Sequence, residues 1–138
     1  MKASSISLPA AVVFAIAGMA WGMAMGISQD HSAMPAHAHL NLLGWVSLFL
    51  MGLYYRLHPV FDTSRVALAQ VVLWIAGSIV HPLGMGLVLR GYMFGGPMIG
   101  VGSLQLLVSM ILFGWQVLRG ETARVDRHTE ALAIGRGR

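Results

Sequence analysis

The chain contains no cysteine. Disulfides, thiolate zinc sites, iron–sulfur clusters and haem attached covalently through a Cys-x-x-Cys-His run are therefore excluded. Any metal must rely on histidine, methionine, carboxylate or backbone oxygen. Charge is nearly as scarce. Only 10% of residues are Asp, Glu, Lys or Arg, where a water-soluble domain carries about 25%. Hydrophobic residues make up 57% and the mean hydropathy is +0.71. A surface so poor in charge does not face water, so the chain reads as an integral membrane protein with the lipid bilayer as its first partner. Its 138 residues allow one domain. The net charge of +4 could suggest a nucleic-acid surface. The arginines stand beside apolar runs, however, and topology accounts for them without nucleic acid.

Four apolar runs are present, at about 6–27, 35–57, 66–89 and 97–118. Each has roughly the 20 residues needed to cross a hydrocarbon core about 30 Å thick. The expected fold is all-α, a polytopic four-helix membrane bundle over residues 1–119. Residues 120–138 form a polar tail, read as an interfacial or unstructured segment. The first run is too long for the core of a cleaved signal peptide and lacks a good cleavage site, so it is read as a retained helix. It carries Gly18, Gly22 and Gly26 at four-residue spacing, a ridge that permits close helix approach within or between chains. Pro82 within the third run is expected to kink it.

The connectors are short, so neighbouring helices are antiparallel. With both termini on one side, that side holds Lys2, Arg56, Arg65, Arg119, Arg124, Arg127, Arg136 and Arg138, and the other holds Arg90 alone. This asymmetry places both termini in the cytoplasm and implies a plasma membrane of the bacterial inner-membrane type. His31, His37 and His39 then lie at the outer face.

The chemistry concentrates in the second run, AHAHLNLLGWVSLFLMGLYYRL, residues 36–57. Ionisable groups at the mouth of a membrane helix are expensive and usually functional. His37 and His39 are two residues apart and point about 200° away from each other on a regular helix, so they serve different roles. The third run bears a one-sided stripe of Gln70, Trp74, Gly77, His81, Gly84 and Val88. A histidine with glycines one turn above and below suits a ligand beside a flat macrocycle, with Gln70 and Trp74 as further donors. The plainer reading is an intramembrane histidine bonded to a neighbouring helix. His39 and His81 both fall in the outer half. Gly102, Gln105, Ser109 and Gln116 of the fourth run read as polar contacts between helices. A separate copper site is an alternative, built at the outer face from Asp30, His31, Met34, His37 and His39, since imidazole and thioether suit that metal.

The run AHAHLNLLGWVSLFLMGLYYRLHP resembles the haem–copper oxidase subunit I superfamily and its NnrS-type relatives, in which an outer-face helix carries a low-spin haem ligand in an H-x-N setting. His39-Leu40-Asn41 fits that setting, with Gly44 following. The resemblance covers one helix. It implies a haem b protein with His39 and His81 as iron ligands and His37, Asn41, Trp74, Gly77 and Gly84 in the cofactor pocket. Its implied roles are electron transfer or binding of nitric oxide or another diatomic gas, alongside respiratory or denitrification components. Family oxidases have about twelve helices in pseudo-threefold array, so four helices imply a homo-oligomer, a homotrimer by that ratio. The chain has neither an adjacent histidine pair nor a His-x-x-x-Tyr run, so oxygen-reducing catalysis is not expected of it alone. The further alternative is a non-catalytic accessory subunit that carries no metal.

Because native thiols are absent, single-cysteine probes read topology without background. Ser32→Cys is expected to react with a membrane-impermeant maleimide in intact cells, and Thr63→Cys only after permeabilisation. The opposite pattern inverts the topology.

Overall fold

The computed structural model describes the backbone of residues 1–136 and the side chains of residues 1–120. It is all-helical, with no strand among the described residues. Four long helices are present: α1 (Ser4–Ser28), α2 (Met34–Leu57), α3 (Arg65–Leu89) and α4 (Gly95–Arg136). All four contain a stretch long and apolar enough to cross a membrane, so the chain is a membrane protein. A single helical turn, Pro59–Asp62, lies between α2 and α3.

Each start has a local cause. Pro35 sits in the first turn of α2, where its missing N–H costs nothing. Ser64 caps α3 by accepting from the Ala67 N–H at 3.0 Å. The cap of α1 comes from far along the chain. Asp62 accepts from the Ser4 N–H at 2.7 Å and the Ser4 hydroxyl at 2.8 Å, and its own carbonyl accepts from the Ala3 N–H at 2.8 Å. A carboxylate here also meets the positive end of the α1 dipole. Two helix ends turn on left-handed residues, Gln29 after α1 (φ 56°) and Gly91 after α3 (φ 85°).

The apolar span of α4 ends at Gly120, close to the expected 118, and the helical backbone continues to Arg136. Helix α3 is continuous through Pro82. Lipid-embedded helices tolerate proline when neighbouring elements cover the freed carbonyl.

The helices pack in chain order, α1 on α2, α2 on α3 and most extensively α3 on α4, while α1 and α4 have no substantial contact. The result is an open array and not a closed ring. The outward faces are apolar, as on α4, where Leu104, Leu107, Ile111 and Leu118 are exposed. This surface suits hydrocarbon.

In the half that holds the start of α1, Ser7 Oγ is buried without a partner, while a polar cluster on the other three helices closes on itself. The Tyr55 hydroxyl donates to Gln70 Oε1 at 2.9 Å and receives from Gln116 Nε2 at 2.8 Å. Gln70 Nε2 donates to Ser109 Oγ at 3.0 Å, and the Ser109 hydroxyl returns to the Gln70 carbonyl at 2.8 Å. Tyr55, Gln70 and Ser109 are all 0% exposed, so this cluster knits α2, α3 and α4 together where no water competes. The reading of Ser109 and Gln116 as polar glue thus describes their contacts.

Glycines set how close α3 and α4 come. A Cβ on Gly102 would lie 2.6 Å from the His81 backbone nitrogen, whereas one on Gly86 would meet nothing within 4 Å. Gly102→Ala is therefore expected to destabilise the protein by about 1–3 kcal/mol through overpacking, and Gly86→Ala to be neutral or slightly stabilising. Reversible unfolding in mixed micelles measures both. Equal effects would contradict this account of the α3–α4 seam.

Candidate functional site

The half of the molecule that holds the start of α2 and the end of α3 is built around a widened turn. Residues Leu40–Ser47 of α2 form a π-helix. Such segments are rare and often mark functional sites. The side chains around it supply partners for backbone carbonyls. The Trp74 indole N–H donates to the Leu43 carbonyl at 2.9 Å. The Ser47 hydroxyl donates to the Leu42 carbonyl at 2.8 Å, and Asn41 Nδ2 to the His37 carbonyl at 3.0 Å. Gly44 lets the Phe14 ring of α1 lie against this segment, because a Cβ there would stand 2.7 Å from the ring.

Just before the widened turn, the two histidines part as their spacing requires. His37 faces α1. Its ring meets Trp21 edge-on, with centroids 6.1 Å apart, and lies over Gly22, where a Cβ would come within 3.2 Å of it. Gly18 receives the Asn41 carboxamide. Two glycines of the α1 ridge are thus used within the chain, and Gly26 is open. His39 faces the other way, towards α3. Its ring and that of His81 have centroids 5.0 Å apart, tilted by 38°.

Each of these two rings is held by one nitrogen. His39 Nδ1 is 2.8 Å from the Pro35 carbonyl. A carbonyl can only accept, so the proton sits on Nδ1 and Nε2 keeps its lone pair. His81 Nδ1 is 3.1 Å from Ser103 Oγ on α4, and His81 Nε2 is buried without a hydrogen-bond partner. An imidazole anchored through Nδ1 with a free Nε2 is the usual arrangement of a metal-ligating histidine. Ser103 was not among the residues the sequence singled out. Its signal is weak, an ordinary serine one position from Gly102, and only the α3–α4 seam brings it to His81.

The remaining candidates are placed elsewhere. Gly77 and Gly84 do not open room beside His81, since α4 fills the space. A Cβ on Gly77 would come within 2.8 Å of Leu106, and one on Gly84 within 2.8 Å of the Gly95 carbonyl. Trp74 is committed to Leu43 and Gln70 to the inner cluster, so neither is free as a pocket donor. In the outer loop, the Asp30 carboxyl is held below the usual carboxylate range by the Ser32 backbone N–H and hydroxyl, with the Arg90 guanidinium adding to the effect. His31 Nδ1 lies 3.2 Å from the Gln29 carbonyl. Among the described residues no group of three or more His, Asp or Glu side chains converges on one point. Asp30, His31, His37 and His39 therefore form no such group of three among themselves.

Haem can be tested against this geometry. Two imidazoles on opposite sides of one iron, each bonded at about 2.0 Å, would have ring centroids about 6.3 Å apart. Here the separation is 5.0 Å. The flanking glycines are covered, and the apolar grooves nearby, of about 260 and 210 Å³, lie between α1 and α3 around Trp21 and Pro82 with no histidine in their walls. A haem clamped between His39 and His81 of one chain does not fit. Compared with family models, curated proteins and solved structures, the chain matches none.

Trp74→Phe keeps an aromatic ring but removes the donor to Leu43 and part of the buried volume. It is expected to cost about 1–3 kcal/mol, because the carbonyl is left unpaired in a water-free layer. Amide hydrogen exchange across residues 40–47 should quicken in parallel. Unchanged exchange there would show that Trp74 does not hold the widened turn.

Proposed function

We propose that the protein is an integral membrane metal-binding protein whose His39 and His81 are the primary ligands. The observation that supports this most directly is the facing pair of Nδ1-anchored imidazoles, one of them with a buried, unpartnered Nε2. The charge asymmetry supports a setting of the pair in the outer half of the membrane with both termini cytoplasmic, in a membrane of the bacterial inner type. Metal held there serves electron transfer, gas binding or metal handling. No catalytic side chain is assigned.

The second reading is haem b, favoured by the resemblance of His39-Leu40-Asn41 to the superfamily's ligand setting. Since the pair within one chain leaves no slot for a macrocycle, this reading uses one histidine per chain as an axial ligand. A second copy, in the trimer the helix ratio suggests, would then complete the site. Bound haem would supply one-electron or diatomic-ligand chemistry, and this chain would supply imidazole and an apolar surround.

The deciding measurement is the absorption spectrum and metal content of detergent-purified protein. Stoichiometric metal that is lost in both His39→Ala and His81→Ala, with fold retained by circular dichroism, supports the proposal. A Soret band assigns that metal to haem. Purified protein that takes up neither haem nor any transition-metal ion would leave the accessory-subunit reading in its place.

A further inference from the structure

We infer that the ligand of the His39–His81 pair is monovalent copper bound as a bare ion, a deepening that rests on the metal-binding reading above. The first argument is geometric. A metal bonded to both Nε2 atoms at about 2.0 Å stands about 3.1–3.2 Å from each ring centroid. Centroids 5.0 Å apart then subtend an angle of about 105° at the metal, with that bond length taken from imidazole–zinc sites. The angle is bent, as in trigonal or tetrahedral coordination, and far from the straight line across a haem.

The second argument concerns charge. None of the four spans contains an aspartate or glutamate. Both imidazoles are neutral ligands, so nothing in the layer offsets the charge of the ion. The cost of burying charge in a low-dielectric medium rises with its square, so a divalent ion pays about four times as much as a monovalent one. Imidazole sites accept zinc, copper, iron and nickel. Of these, copper is the metal with an ordinary monovalent state, and the missing carboxylates select it. The third argument is ring preparation. The Pro35 carbonyl and Ser103 hydroxyl occupy the Nδ1 sides, which leaves the Nε2 atoms as the ligating atoms. Two protein ligands at this angle leave a position open, as in sites that exchange a ligand or pass the metal on.

The test is an anaerobic titration of the detergent-purified full chain with Cu(I), buffered by a bicinchoninate competitor, with Zn(II) in parallel and haem read by absorbance. One Cu(I) per chain is expected, with Zn(II) at least about tenfold weaker, as loss of the charge advantage requires. His39→Ala and His81→Ala should abolish uptake, and the double variant His31→Ala, His37→Ala should retain it. Ser103→Ala, which removes only a hydroxyl, should fold normally and weaken Cu(I) by about 10–100-fold. Zn(II) binding as tightly as Cu(I) overturns the monovalent assignment. A Soret band with no Cu(I) uptake overturns copper while leaving the metal-binding reading standing. Absence of both haem and ions overturns the two together.

Discussion

A carbonyl released from its helical partner inside a bilayer has no water to turn to. That constraint governs the half of this protein that holds the histidine pair. The widened turn at Leu40–Ser47 persists because Trp74, Ser47 and Asn41 each donate to a carbonyl in or beside it. Trp74 matters most, since its donor reaches across from α3. One hydrogen bond therefore does two things: it satisfies an awkward backbone and fixes α2 against the helix that carries His81. His39 stands at the start of this turn, so its position across from His81 inherits that registration.

The polar side chains inside the membrane divide into two layers with opposite logic. Near the cytoplasm-assigned face, Tyr55, Gln70, Ser109 and Gln116 spend their bonds on each other. Such a closed set fixes three helices in one arrangement. Among the described residues four polar atoms are buried without partners: His81 Nε2, Ser78 Oγ and Gln105 Oε1 towards the other face, and Ser7 Oγ near the start of α1. Unpaired groups in a low-dielectric layer are costly. Of these four, the imidazole nitrogen is the one suited to a transition metal, and that directs attention to the histidine pair.

Much of this was legible in the sequence, for definable reasons. Run length and the scarcity of charge suffice to find four membrane helices, because bilayer thickness fixes both. The opposite facings of His37 and His39 follow from the helical angle alone. The stripe on α3 was also visible, but not what it faces. A glycine makes room, and sequence does not say for whom: at Gly77 and Gly84 the guest is α4, not a cofactor. The widened turn has no short-range signature, since its cause is Trp74, 31 residues from the carbonyl it serves. Ser103 was missed because its partner is set by the approach of two helices and not by spacing along either. The end of the fourth span was legible, but a loss of hydrophobicity marks the end of a membrane span and not the end of a helix, so it could not show that the backbone of α4 stays helical beyond it.

The clasp of Asp62 on Ala3 and Ser4 bears on the order in which the molecule is made. The first helix emerges from the ribosome with its leading amides uncapped. They remain so until the chain has crossed the membrane, returned and delivered a carboxylate 58 residues later. Only then are the start of α1 and the end of α2 locked on the same side. Closing the clasp requires that both helices have crossed, since only then do Ser4 and Asp62 share a side; it is indifferent to which side that is.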